Sequence, residues 1–397
     1  MEVYSVVSKL KIEIENHLYT HILPFWMKLK DKEHGGFFGK VHFDLTIDKE
    51  ADKGGIAASR FLWSFSAAYR VTKKPEYLEC AHHAYKFLVE KVYDHEHQGL
   101  FWQVDYKGQP VEEQKHVYTQ SFGIYALSEY YRATQNIEAL DYANKIYVLI
   151  EGYGFDKENN AYREEFDRQW KEVPNDKLSE NGVIADITTN THLHVLEAYT
   201  NLFKASNSEK VRERLTNLIK LFYEKIYNKE THYLNVFFDK NWNSLLNLKS
   251  FGHDIEASWL IDDALKALNI TDGRYNQMVI DIAYNIADAA ILEDGSLANE
   301  QHNADIDYTR VWWVQAEAVV GFQNAYERTN DEKFLSLVEG LWTYIKKYIV
   351  DHRKGGEWFW SIEVDGHPTE RAIGEPWKTP YHNSRFCLEL MERIEEK

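Results

Sequence analysis

The strongest constraint in this sequence is repetition. Apolar residues recur at helical spacing in twelve stretches: 3–19, 56–72, 75–93, 116–134, 138–151, 187–205, 208–227, 253–268, 273–291, 309–328, 331–350 and 381–395. The links between them alternate in length. Those after even-numbered helices are as short as Lys73-Lys74 or Asn269-Ile270-Thr271. Those after odd-numbered helices are long and rich in Gly, Asp, Asn and aromatics: GGFFGKVHFD from Gly35, GLFWQVDYKG from Gly99, NNAYREEFD from Asn159, THYLNVFFD from Thr231, DGSLANEQH from Asp294 and GGEWFWSIEVDG from Gly355. Their starts lie 60 to 72 residues apart, the interval of a repeated helix–hairpin–helix unit. Alternating aromatics around a Gly- or Asp-marked turn predict a short β-hairpin in each long loop.

Six antiparallel helix pairs either stack as an open superhelix or close on themselves. An open stack needs polar capping helices at both ends. Here the final helix, YHNSRFCLELMERI, is as amphipathic and aromatic as the earlier ones. An all-α (α/α)6 barrel is therefore expected, with residues 1–397 as one domain. Seven prolines and twenty glycines in 397 residues agree with long helices rather than many strands. Closure puts all the long loops at one end, over the N-termini of the second helix of each pair. That end is the expected mouth.

Composition narrows the partners. Lys and Arg number 46 against 63 Asp and Glu, a net charge of −17, which argues against nucleic acid, whose binding rests on clustered basic charge. No apolar run approaches the roughly 20 residues that span a bilayer, and MEVYSVVSKLKIEIENH lacks a signal-peptide pattern. Two distant cysteines, Cys80 and Cys387, give no disulfide framework, so a cytoplasmic protein is expected, as a monomer or weak homodimer. Aromatics reach 15%, including 12 Trp and 26 Tyr. Most serve packing, and some are suited to line a groove for an amphipathic small molecule such as a sugar.

The second helix of each pair begins GGIAASRFLWSF, KHVYTQSFGIYAL, TNTHLHVLEAYTNL, FGHDIEASWLIDDA, YTRVWWVQAEAVVGF and KTPYHNSRFCLELM. Arg60, Tyr118, Asn190 with His194, His253 with Glu256, Trp312-Trp313 and His382 stand out there, 58 to 72 residues apart. In a closed ring such positions converge on one pocket, with helix N-termini adding partial positive charge beneath it. Asn190 and His194 share a face at i, i+4, and His253 and Glu256 at i, i+3. Glu256 is thus placed to accept from His253 or from a substrate hydroxyl. One histidine on an apolar face is ordinarily a hydrogen-bonded core residue; three at matched positions are not so explained.

Other clusters carry less. His192 and His194 face different directions on a helix, which is poor zinc-ligand geometry. Asp94-His95-Glu96-His97 reads as a solvated charge cluster in a loop, and His82-His83 as structural. No dinucleotide fingerprint or nucleophile elbow occurs, so no cofactor and no metal is expected. A pocket of one Arg, one Asn, aromatics and three His suits proton transfer at carbon. Epimerisation beside an aldehyde needs a base on one face, an acid on the other and a donor for the enolate oxygen, a role that fits the permanently charged Arg60. An inverting glycosidase would need two carboxylates about 6.5–9.5 Å apart, and a non-catalytic sugar-binding scaffold gives no reason for matched histidines.

NTHLHVLEAYTNL, GHDIEASWL, WWVQAEAVVGF and WKTPYHNSR, with SRFLWSFSAAY, KHVYTQSFGIYALSEYY and LSENGVIA, together resemble the N-acylglucosamine 2-epimerase superfamily, most closely its cellobiose 2-epimerase branch. The resemblance covers nearly the whole chain. It implies an (α/α)6 barrel and a cofactor-independent isomerase that opens the reducing-end ring, removes the C2 proton to give a cis-enediolate and reprotonates the other face. Carried over by motif, His253 and His382 are the two acid/base residues, His194 assists ring opening and proton transfer at the oxygens, and Arg60 holds the enediolate. Tyr118, Asn190 and Glu256 correspond to contacts with substrate hydroxyls, and Trp313 and Trp377 to sugar-packing tryptophans. Residues 153–185 and 366–377 are expected to decide whether a second sugar fits, as against free mannose, glucose or N-acetylglucosamine.

Overall fold

The twelve predicted helices all form, with ends shifted by a few residues, in a computed structural model that describes residues 2–178 and 182–394, with side chains from residue 8. The inner helices are Gly55–Thr72, Val117–Thr134, Thr189–Ser206, Phe251–Leu268, Trp312–Thr329 and Tyr381–Arg393, the first five each 18 residues long. The outer helices are Glu2–His17, Pro75–Phe87, Ile137–Leu149, Glu209–Leu221, Gly273–Ala289 and Glu332–Tyr344.

Local chemistry sets the tight inner-to-outer reversals. Each of the first five inner helices ends on a left-handed residue: Lys73, Gln135, Asn207, Asn269 and Asn330, with φ between 50° and 61°. Its N–H returns to a carbonyl of the last turn, and asparagine, used three times, tolerates that conformation better than most residues. The next helix then starts on Pro75 or on the capping side chains of Asn136, Asp272 and Asp331. Five outer helices pass instead into a π turn, Leu18–Ile22, Leu88–Val92, Ile150–Gly154, Phe222–Ile226 and Ile345–Ile349. After all but the first of these the chain turns directly extended and enters a long loop.

Each inner helix packs on the next, and the last packs on the first, closing the ring. The long loops form the short hairpins expected of them, and further pairing joins neighbouring loops. Lys53–Gly54 pairs with Gln103–Val104, Lys115–His116 with Glu165–Phe166, Ile187–Thr188 with Phe237–Phe238, Leu248–Ser250 with Glu300–His302, and Arg310–Val311 with Ser361–Ile362. A bridge between Val41 and Gly374 completes the circuit. Strands of two or three residues are too short to stand alone. Each therefore docks the segment just before an inner helix onto the following loop.

Buried ion pairs hold this rim. Lys53 meets Asp31 at 2.7 Å, Lys115 meets Asp94 at 3.0 Å and Lys378 meets Glu357 at 2.7 Å. Asp94 corrects the expectation of a solvated cluster: it is 2% exposed and also accepts from Arg168 and from two backbone N–H groups of its own turn. His82 and His83 are structural as expected, pairing with the Tyr130 hydroxyl and the Gly36 carbonyl. Cys80 and Cys387 are buried free thiols, and no described helix is long and apolar enough to cross a membrane.

Glu357 is the clasp of the closed ring. It accepts from Lys378, from Trp26 of the first outer segment (3.2 Å), from the Trp358 N–H and from Asn383 of the last inner helix. Removing one member of a buried pair strands the other, at a cost of about 3–5 kcal/mol. Glu357→Ala should lose about that much stability by urea unfolding. A change within about 0.5 kcal/mol, the range of an ordinary surface substitution, would disprove the clasp.

Candidate active site

The mouth opens into a cavity of about 360 Å3 on the barrel axis. Arg60, Tyr118, Asn190, His194, His253, Glu256, Trp313, Trp377 and His382, the nine residues picked from sequence, all line it, together with Trp312, Trp360, Lys177, Leu178 and Arg371. The convergence follows from register. The second and sixth residues of an inner helix share one face, and they include Tyr118 with Phe122, Asn190 with His194, and Trp313 with Glu317. The adjoining Ser179–Asn181 of the LSENGVIA motif lie outside the described residues.

His253 and His382 both lie beside the Trp313 indole, with ring centroids 4.8 and 5.5 Å away. His194 stands against Tyr118 and Phe122, at 4.8 Å from each ring. Arg60 donates to the Tyr118 hydroxyl and the Trp377 carbonyl, both at 3.0 Å, and its guanidinium lies over Phe122 and Tyr381. Among the described residues Asn190 Oδ1 is buried without a hydrogen-bond partner, which leaves it available to a polar ligand.

The groups beneath the histidines were not selected from sequence. His194 Nδ1 is 2.8 Å from Glu197 and His382 Nδ1 is 2.7 Å from Glu317. An ionised carboxylate only accepts, so each Nδ1 carries the hydrogen and each Nε2 is left as an acceptor. Burial pushes His194 down to about 3 and His382 well below the ordinary histidine value, so both are neutral at pH 7. Burial raises Glu197 and Glu317, and the guanidinium of Arg385 is the main influence holding them down. The pairing foreseen between Glu256 and His253 is replaced at Nδ1, where Ser250 Oγ lies 2.7 Å from the ring. Glu256 accepts from Arg385 instead. The spacing signal existed: Glu197 follows His194, and Arg385 follows His382, at the same i+3 that drew attention to Glu256.

Ligand atoms of Glu256, Glu317 and His382 lie within 4.8 Å of one another, a distance compatible with a shared cation. Arg385 contacts both carboxylates there, so a fixed guanidinium already supplies the positive charge. His192 points away from the cavity, as the helical spacing required. Its Nδ1 donates to the Thr188 carbonyl at 2.8 Å and its Nε2 accepts from the Tyr162 N–H at 3.0 Å.

The sequence profile of the N-acylglucosamine 2-epimerase (GlcNAc 2-epimerase) family matches residues 36–385. The chain is 46% identical over 387 residues to a cellobiose 2-epimerase of Dictyoglomus turgidum, covering 97% of this chain and 99% of that protein. It is 47% identical over 385 residues to a cellobiose 2-epimerase of Ruminococcus albus, covering 96% and 98%. The solved structure of cellobiose 2-epimerase from Bacillus thermoamylovorans B4167 superposes with a TM-score of 0.96 at 62% identity, covering 98% of this chain and 100% of that one.

The fixed hydrogen bonds of His192 make a pH prediction. Burial lowers it from 6.5 to about 4, so between those values the unfolded chain binds a proton that the folded chain refuses. Its contribution is complete above about pH 6.5 and is lost as pH falls toward 4. The stability difference between wild type and His192→Gln, from urea unfolding, should therefore shrink by about 1.4 kcal/mol per pH unit across that window. A difference independent of pH contradicts the assignment.

Proposed function

The chain belongs to the N-acylglucosamine 2-epimerase family, and from that premise we propose that it interconverts the glucose and mannose configurations at C2 of the reducing-end residue of β-1,4-linked disaccharides. Cellobiose would yield 4-O-β-glucosyl-mannose, and lactose would yield epilactose. The observation that carries this reading is that His253 and His382 both border the Trp313 indole in one cavity with Arg60. A sugar laid against Trp313 would present opposite faces of C2 to the two imidazoles.

In this reading His194, with Nε2 unprotonated, takes the anomeric hydroxyl proton as the ring opens and returns one to the ring oxygen. One of His253 and His382 removes the C2 hydrogen, and electron density moves onto the aldehyde oxygen. Arg60, which stays charged, stabilises the resulting cis-enediolate. The other imidazole, loaded beforehand with a proton from solvent, delivers it to the opposite face of C2; the ring closes, and the first imidazole releases the abstracted proton to solvent. Tyr118, Asn190 and Glu256 serve the hydroxyls, and Trp377 packs on a sugar face. Lys177, Leu178 and Arg371, from the two segments expected to govern length selectivity, line the same cavity and are suited to meet the second sugar.

Glycoside hydrolysis fits less well, because Glu197 and Glu317 do not line the cavity and Glu256, which does, is paired with Arg385, so two free carboxylates do not face a scissile bond. The remaining parts of the proposal are that the protein acts as one domain without metal or nucleotide, in the cytoplasm, where Cys80 and Cys387 stay reduced.

The deciding experiment is incubation with cellobiose, lactose, mannose and N-acetylglucosamine in heavy water. Deuterium at C2 of an epimerised disaccharide is expected; monosaccharide products alone point to a hydrolase, and turnover of mannose alone to a monosaccharide epimerase. His253→Ala and His382→Ala should each lose inversion by roughly 10²–10⁴-fold, and at least one should keep slow same-face C2 exchange with one epimer. Near-normal inversion in either variant, with its circular dichroism unchanged, would refute the two-base assignment. Exhaustive chelation should leave turnover unchanged.

A further inference from the structure

Arg385 is fully buried and does not line the cavity, yet it reaches both carboxylates that back histidines, Glu197 and Glu317, and Glu256 of the cavity wall. One guanidinium nitrogen donates to Glu197 Oε1, beside the Tyr381 hydroxyl; the other donates to Glu256 Oε1 and lies 2.6 Å from Glu317 Oε1. Glu197 in turn accepts from His194, and Glu317 from His382 and from the Trp259 indole N–H at 3.0 Å. His194 and His382, carried on the third and sixth inner helices, are thus joined by an unbroken chain of charge-assisted hydrogen bonds running imidazole, carboxylate, guanidinium, carboxylate, imidazole.

We propose that Arg385 is a positioning residue that makes the two imidazole–carboxylate pairs one electrostatic unit, so that the protonation of His194 and that of His382 are coupled rather than independent.

Charge balance favours this role over simple packing. Three carboxylates against one guanidinium leave a surplus of two negative charges, and Arg60 at the cavity wall offsets one more. Stability alone does not call for surplus buried charge, since well-packed apolar residues do as well or better in such places. Placed under two histidines, the surplus attracts a proton to either ring, while a proton on one repels a proton on the other. His194 faces Glu197, Glu256, Arg60, Arg385, His253 and the Tyr118 ring. His382 faces Glu317, Glu256, Arg60, Arg385, His194, Tyr381 and the two tryptophans Trp312 and Trp313. Arg385 and Glu256 act on both, with opposite signs. The contacts of Arg385 are with Glu197, Tyr381, Glu256 and Glu317 and do not include His253, whose Nδ1 meets the Ser250 hydroxyl, so this ring is the comparison. The consequence for catalysis rests on the epimerase reading; the coupling itself does not.

The test is nitrogen-15 NMR titration of the histidines in the full-length protein without substrate, for wild type, Arg385→Met and Arg385→Lys. Loss of the guanidinium should raise the proton affinity of both His194 and His382 at least tenfold, with His253 changing less than threefold. Arg385→Lys, which keeps the charge but not the fork, should return both rings part of the way. A shift at only one of the two rings, or an equal shift at His253, overturns the proposal. With cellobiose, the acidic limb of the kcat–pH profile should move up by at least one unit in Arg385→Met. If wild type turns over no sugar, the epimerase reading fails while the titration still decides on Arg385. If circular dichroism shows that neither Arg385 variant folds, the double-mutant cycle Glu197→Gln with Glu317→Gln takes its place. Coupling requires the unfolding equilibrium constant of the double variant to depart at least fivefold from the product of the single effects, and multiplicative effects overturn it.

Discussion

Six parallel inner helices bring six carbonyl ends to the face of the barrel opposite the mouth, and that concentration of partial negative charge must be met. Each helix meets it with a cation in or beside its last turn: Arg70, Arg132, Lys204, Lys266, Arg328 and Arg393. These cations also stitch the ring sideways. Arg70 holds Glu129 on the second helix and Glu392 on the sixth, Arg132 donates to Asn201 at 2.7 Å, Lys204 holds Asp263 at 2.6 Å, Arg328 holds Asp262 and Arg393 holds Glu327 at 3.0 Å. Every interface between neighbouring inner helices thus carries a polar tie at this end. Lateral register fixed here is transmitted along rigid helices to their other ends, where the site is assembled.

At the mouth the same problem is solved with strands. The extended segment before each of the first five inner helices pairs with the loop of the next repeat, and the Val41–Gly374 bridge closes the circuit. The first residues of a helix carry the side chains that reach the axis, so a strand docked immediately upstream restrains where those side chains start. Tyr118 shows the coupling. It follows the Lys115–His116 strand, and its backbone N–H donates to the ring of its own cap, His116, at 3.1 Å. Lys115 beneath is held by Asp94. Rim ion pairs and site geometry are therefore one construction.

The architecture was legible because it rests on local, repeated signals. Helical periodicity, the alternation of short and long links, and the recurrence of Arg60, Tyr118, Asn190, His194, His253 and His382 at repeat spacing are all visible without knowing who touches whom. Convergence on one cavity follows once the ring closes. What was not legible depends on contacts between distant repeats. Glu317 is 65 residues from His382, and Glu197 is 188 residues from Arg385; nothing local says that these pairs meet. Asp94 was read as solvated because its neighbours in sequence are charged, whereas its partner Lys115 arrives from the far end of the same loop and Arg168 from the next long loop. Glu256 was offered to His253 or to a substrate hydroxyl on spacing, and the spacing was sound. A buried guanidinium from the last helix takes the carboxylate, and Ser250 Oγ stands at the ring nitrogen of His253.

The unlike backing of the two flanking histidines bears on how one site serves both directions of an epimerisation. An imidazole whose Nδ1–H points at a carboxylate is stabilised when it becomes imidazolium, because the new charge meets a fixed opposite one. An imidazole beside a hydroxyl gains only a dipole. His382, backed by Glu317, is therefore the better holder of a proton once it has taken one, and burial opposes that tendency by disfavouring any charge there. The two influences pull against each other on this one imidazole. In the proposed two-base reaction each ring acts as base for one epimer and as acid for the other, so neither can hold its proton too firmly. A strongly basic ring would abstract readily and then fail to give the proton up. In this site the carboxylate and the low-dielectric surroundings are set against each other on His382, while Ser250 Oγ stands at Nδ1 of His253.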